Sequence, residues 1–155
     1  MASVKSGDLS VEDALSHLSN LPYEDLGFAK PDHHRTLRQG FPEVILGEGK
    51  TPEQVVAIAQ RLASQADRLL ITRATPEAYK HLKECLPEVE YYPESHAIVL
   101  NRLKDRPLRP GIMVVCGGTA DIPVAEEAAV TAELMGNQVA KAFDVGVAGL
   151  HRLLD

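Results

Sequence analysis

Two glycine-bearing stretches in the last third of the chain carry residue types suited to gripping an anionic ligand. The first, Gly117-Gly118-Thr119-Ala120-Asp121, directly follows the apolar run Ile112-Met113-Val114-Val115-Cys116. Glycines there let backbone N–H groups approach a phosphate, and a helix opening behind them turns its positive dipole end toward the same spot. The second is Asp144-Val145-Gly146-Val147-Ala148-Gly149-Leu150-His151-Arg152. His151 can act as an acid or base near neutral pH, and Arg152 can clamp a phosphate or carboxylate through two parallel hydrogen bonds.

Each stretch also has a plainer reading. Gly117-Gly118 can be a tight turn with Thr119 or Asp121 capping the helix, and His151-Arg152 can be a solvated helix end. A helix-end interaction contributes roughly 0.3 to 2 kcal/mol, whereas even a ~1 mM ligand needs about 4 kcal/mol. One turn alone therefore cannot hold a nucleotide, and further groups must converge on it. Upstream, His33, His34, Arg35 and Arg38 form a basic loop that can reach a second part of a ligand or a neighbouring subunit, or can simply be solvated. No metal site is expected there, because adjacent histidines do not converge and no carboxylate or cysteine spacing completes a zinc set. Glu126 and Glu127 fit the ordinary role of acids complementing a helix dipole. Cys116 reads as a small buried hydrophobe and Cys85 as a structural residue late in a helix.

The elements that must position these residues follow from periodicity. Glu43 to Gly47 reads as a buried strand, and Gly47 and Gly49 break it. Thr51-Pro52-Glu53 then starts a helix with a capping hydroxyl, Pro at the first helical position and an acid in the first turn. Val55, Ile58, Ala59 and Leu62 share one face of it. Leu69 to Thr72 is a second strand, Thr75-Pro76-Glu77 repeats the helix start, and Ala97 to Leu100 is a third strand. The result is a β-α-β-α-β progression with connections long enough for parallel crossovers. Lys104 to Gly111, punctuated by Pro107 and Pro110, marks a boundary. Beyond it Ile112 to Cys116 reads as a central parallel strand, Ile122 to Met135 as a helix and Val139 to Phe143 as another strand. The expected organisation is a docking helix in 1–30 (Ser10 cap; Val11, Leu15, Leu18), an α/β domain over 31–106, and part of a parallel-sheet domain over 107–155.

Composition agrees with an α/β class and removes several functions. Of 155 residues, 45% are hydrophobic and 25% charged, but only 5% are aromatic and none is Trp, so the core is aliphatic. A net charge of -6 leaves no bulk positive field and argues against nucleic-acid binding. No apolar run approaches the roughly 20 residues that span a bilayer, and no signal peptide opens the chain. A cytoplasmic protein is expected, without nucleic-acid or membrane partners.

Gly-Gly-Thr-Ala-Asp-Ile-Pro-Val-Ala-Glu-Glu-Ala-Ala at 117–129 and Asp-Val-Gly-Val-Ala-Gly-Leu-His-Arg-Leu-Leu at 144–154 resemble the LarB family. His-His-Arg-x-x-Arg-x-Gly-Phe-Pro-Glu-Val-Ile-x-Gly-x-Gly-Lys over 33–50 is also similar to LarB and has no counterpart in the related PurE family. PurE proteins carry a Gly-Ser-x-Ser-Asp turn and a Ser-Ala-His-Arg turn at the two later places; Ala120 stands where PurE has its second serine.

The resemblance implies a flavodoxin-like, PurE-type second domain. It places Gly117, Gly118, Thr119 and Arg152 at nucleotide phosphate, His151 and Asp121 as the catalytic residues, and Arg35 and Arg38 at a second site or interface. The implied activity is carboxylation and phosphoanhydride hydrolysis of nicotinic acid adenine dinucleotide in nickel-pincer cofactor synthesis. Carbon dioxide or bicarbonate is the co-substrate, and a magnesium ion is compatible with the site. The family's ring-bonding cysteine is expected beyond Asp155, with the PurE-like domain incomplete. Homo-oligomerisation is implied by PurE-like rings and, separately, by the sheet edge that a two-stranded unit leaves open. The alternatives are an aminoimidazole ribonucleotide carboxylase and a non-catalytic nucleotide-binding or assembly module.

Overall fold

The chain divides into two compact units, Met1–Glu43 and Val44–Asp155. The computed structural model describes residues 10–11, 27–29, 41 and 43–146. Most of the expected docking helix, together with Arg35, Arg38, His151 and Arg152, lies outside the described residues. The architecture below is that of the second unit.

The described order is β1 (Val44–Leu46), α1 (Pro52–Ala63), β2 (Arg68–Thr72), α2 (Pro76–Cys85), β3 (Glu90–Tyr92), β4 (Ala97–Asn101), β5 (Arg109–Val115), a 3₁₀ turn (Thr119–Asp121), α3 (Ile122–Leu134) and β6 (Asn137–Ala142). The class is mixed α/β with parallel pairs, as expected. Both Thr-Pro-Glu starts are helix caps. The Gln54 N–H donates to Thr51 Oγ1 (3.3 Å) while the Thr51 N–H donates back to the Gln54 side chain (3.1 Å), and the Ala78 N–H donates to Thr75 Oγ1 (3.1 Å). Satisfying orphan amides this way stabilises each helix by about 1 kcal/mol.

Strands β1 to β4 form one sheet in the order β1-β2-β4-β3, in which β1 and β2 are parallel and β4 runs antiparallel to both neighbours. This corrects the simple parallel progression. Glu90–Tyr92 is an additional strand, and Ala97–Asn101 returns from it as a hairpin that slots between β3 and β2. The first strand is also corrected. It is an edge strand, with Ile45 buried but Leu46 exposed.

Leu69, Leu70, Ile71, Ile98 and Leu100 are fully buried because both faces of the β2–β4 centre are covered. Helices α1 and α2 pack together on one face, and α3 lies against β2 and β4 on the other. Helix α3 also packs on β5 and β6, which form a separate parallel two-stranded sheet. Arg68 ties these layers together: its Nη1 donates to the Leu134 carbonyl in a buried 2.9 Å bond at the C-terminal end of α3.

The strand after the proline-rich link begins earlier than its composition suggests. β5 passes through Pro110 and Gly111 by a register shift between Arg109 and Ile112, with Gly111 at φ 111°. A bulge is where a strand tolerates a missing N–H donor. Met113 and Val115 are exposed on β5. Among the described residues no helix is long and apolar enough to cross a membrane.

Candidate functional site

Because β5 and β6 are parallel, their following turns emerge at one rim of the sheet, and backbone hydrogen bonds join them. The Cys116 N–H donates to the Ala142 carbonyl (3.2 Å), the Val145 N–H to Cys116 O (3.1 Å) and the Gly146 N–H to Gly117 O (2.9 Å). The approach at the last pair requires glycine. A Cβ on Gly146 would lie 2.4 Å from Gly117 O.

Within the first turn, the Gly118 N–H donates to Asp121 Oδ2 (3.0 Å) and the Asp121 N–H donates to Gly118 O (3.0 Å). The Asp121 carboxylate thus braces the loop and engages one of its amides. Gly117, Thr119 and Asp121 are exposed and Gly118 is half-buried. Cys116 is buried as expected, with Sγ 3.7 Å from Gly118 O. Cys85 is exposed rather than packed away, its thiol directed at the Leu82 carbonyl (3.3 Å).

The same end of the larger sheet holds a cleft of about 510 Å³ that the sequence reading did not single out. It is lined by the loop after β1 (Gly47 to Lys50), the loop after β2 (Arg73 to Pro76), the hairpin residues Ser95 and His96, and the first turns of α3. The Gly47 N–H donates to Thr72 O (2.8 Å) and the Ala74 N–H to His96 O (2.7 Å), so three loops are stitched into one rim. Gly47 is needed for that approach, since a Cβ would meet the Thr72 and Arg73 carbonyls at 3.0 Å.

The cleft's charges are organised. Lys50 Nζ donates to Leu46 O (2.9 Å), and Arg73 Nη1 donates to Glu48 Oε2 (2.6 Å). The Glu48 hydrogen bond and charge, with a further contribution from Glu127, raise the Arg73 pKa, so its charge is permanent. The Tyr91 hydroxyl lies 3.2 Å from His96 Nδ1, and burial, with Glu77 adding to it, raises the phenol's pKa so that it keeps its proton. Among the described residues, the non-glycine positions with positive φ are Arg73 (48°), His96 (50°) and Asp144 (57°). The first two line this cleft and the third follows β6 beside the glycine turn. Backbone held there costs on the order of 1–3 kcal/mol per residue and concentrates at functional sites.

A second cavity of about 450 Å³ lies at the other end of α3, near Glu133, Leu134 and the start of β6. It sits away from the strand ends where open α/β sheets bind ligands, and its Lys104 and Glu90 are already paired at 2.6 Å. Glu126 is likewise engaged, accepting from Lys141 Nζ (2.8 Å).

Comparison with known proteins places residues 23–102 in a match to the LarB/PurE-like N-terminal domain. The chain is also 30% identical over 158 residues to an uncharacterized protein of Methanocaldococcus jannaschii, a similarity covering 96% of this chain and 61% of that protein. The chain therefore spans somewhat under two thirds of that relative's length.

Proposed function

Since the chain belongs to the carboxylase-related family of LarB/PurE-like N-terminal domains, we propose that it serves the carboxylation and phosphoanhydride hydrolysis of nicotinic acid adenine dinucleotide. The observation that supports this reading best is the junction of the two βα turns through the Gly146 N–H and Gly117 O (2.9 Å). A single turn is too weak to hold a nucleotide, and this junction makes the second stretch continuous with the first. In the proposal Gly117, Gly118, Thr119 and Arg152 meet a phosphate, and His151 and Asp121 handle protons. Asp121 already holds the loop's shape through Gly118.

The chemistry asks for an electron-rich ring carbon. Thiolate addition to the pyridinium creates one; the carbon takes carbon dioxide, then loses a proton and the thiolate to regain aromaticity. Water next cleaves the phosphoanhydride and releases AMP. Neither Cys116, buried behind the glycine turn, nor Cys85, at the end of α2, is assigned as that thiolate; the residues of this chain are proposed for nucleotide binding and for the phosphoanhydride step, which AMP release reads.

The experiment is to incubate the purified full chain with the dinucleotide and bicarbonate and to follow AMP by chromatography. AMP release that falls at least tenfold in Thr119→Val and His151→Ala supports the reading. Carboxylation of aminoimidazole ribonucleotide instead, with no AMP, would replace it with the purine activity. Saturable dinucleotide binding without turnover would make the chain a binding module.

A further inference from the structure

We infer that the cleft at the rim of the four-stranded sheet is a separate binding site for a nucleoside monophosphate, with Lys50 and Arg73 meeting the phosphate. The inference deepens the dinucleotide reading, on which it rests only for the identity of the larger ligand. The site itself stands on its own geometry.

The cleft has room for a ligand much larger than a bare ion. At roughly 30 Å³ per water, a volume of about 510 Å³ holds on the order of 15 to 20 waters. Covalently bonded atoms pack more closely than liquid water, so a ligand of about 20 to 25 non-hydrogen atoms suits it, and the volume falls within the ~300–1,000 Å³ usual for small-molecule sites. Its walls are mixed in the way such a ligand needs. Ala74, Pro76, Pro123 and Val124 offer an apolar surface for a flat ring, and Val124 is 74% exposed although it belongs to the first turn of a helix. Glu127 is an acceptor suited to sugar hydroxyls.

The cations are available to an incoming anion. The Arg73–Glu48 pair is short at 2.6 Å, but its side chains are 61% and 63% exposed, so water screens it and it yields readily. A phosphate can take Arg73 through two parallel hydrogen bonds, a geometry that favours guanidinium over a point charge. Lys50 Nζ spends one donor on Leu46 O, and an ammonium carries three. Gly49, at φ 76°, lets the loop turn so that Lys50 returns to the rim.

The cleft also adjoins the first site. Val124 is three residues beyond Asp121, about 4.5 Å along a helix axis, so the glycine turn and the cleft flank the same end of α3. One ligand with two anionic halves can occupy both.

The test is calorimetric titration of the full chain with AMP, adenosine and inorganic phosphate. AMP is expected to bind at least tenfold more tightly than either fragment. Arg73→Gln and Lys50→Gln should each weaken AMP at least tenfold. Val124→Asp, an acid that suits a first helical turn and so preserves folding, should do the same, whereas Val124→Lys should not. AMP affinity within twofold of the parent in Arg73→Gln, Lys50→Gln and Val124→Asp would overturn the inference. So would loss of AMP binding confined to Thr119→Val, an outcome that leaves the dinucleotide reading standing. Conversely, cleft-dependent AMP binding in a chain that does not bind or convert the dinucleotide would retain this site and remove that reading.

Discussion

Gly146→Ala tests the junction on which the functional reading depends. The substitution leaves charge and polarity untouched, and the φ of Gly146 lies outside the left-handed region, so backbone preference does not penalise alanine. What it adds is one methyl group 2.4 Å from the Gly117 carbonyl oxygen and 3.1 Å from its carbon. Both are main-chain atoms, so no flexible side chain can swing aside. The two turns must separate by about 0.5–1 Å to restore van der Waals distance, which breaks or stretches the 2.9 Å bond from Gly146 N–H to Gly117 O. Overpacking costs about 1–3 kcal/mol, and the lost hydrogen bond about 0.5–1.5 kcal/mol. A destabilisation of about 1.5 to 4.5 kcal/mol follows, or a melting-temperature drop of roughly 4 to 14 °C for a chain of this size. Thermal and urea unfolding followed by circular dichroism measure it, and dinucleotide binding should weaken in parallel. A melting temperature within 1 °C of the parent, with binding intact, would show that the two turns do not meet as described.

Other outcomes follow from individual contacts. Arg68→Met removes the buried bond to the Leu134 carbonyl; a charged hydrogen bond is worth about 1.5–3 kcal/mol, so urea midpoints should fall, with Arg68→Lys recovering part of the loss. Cys85 is exposed and Cys116 buried, so iodoacetamide should alkylate Cys85 in the native protein and reach Cys116 only on unfolding, as peptide mass mapping would report. Arg102 bonds Glu88 (2.7 Å) and lowers its pKa below the usual 4.5. That contribution is present above pH 4.5 and is lost as pH falls through the lowered value. The stability gap between the parent and Arg102→Gln should therefore narrow on acidification, leaving the pH-independent part from the Ala63 carbonyl.

Local signals in the sequence survive into the structure where the physics is local. Thr51 and Thr75 are caps because a hydroxyl ahead of proline and an acid satisfies a helix start whatever the surroundings. Val55, Ile58, Ala59 and Leu62 are all buried because a one-sided helix has one way to dock. Glu90-Tyr91-Tyr92 was not legible as a strand because one exposed and two half-buried residues have no alternation to read; they become a strand only by pairing, Tyr91 opposite Ile98. The direction of β4 was equally illegible, since Ala97-Ile98-Val99-Leu100 is as apolar read backward as forward. Pro110-Gly111 does interrupt regular pairing, but a bulge absorbs it and the strand continues. The cleft was hidden for a different reason. Lys50, Arg73, His96 and Val124 lie in four separated segments, and each alone looks like an ordinary loop or surface residue.

Helix α3 is the element that makes these parts one device. A helix lying on one sheet needs one apolar stripe, but α3 is covered by β2 and β4 on one side and by β5 and β6 on another. Its small residues answer that demand: Ala125 and Ala129 are buried, the latter completely, and they let both sheets approach the same helix. The C-terminal end is held by Arg68 through Leu134 O. At the opposite end, Asp121 closes the glycine turn just before the helix begins, and Pro123, Val124 and Glu127 enter the cleft. The first turn of α3 is thus a wall of both candidate sites, and it is anchored from Ala125 onward by the buried stripe of the helix. Where a ligand at one place displaces this turn, the change in affinity at the other place is reciprocal.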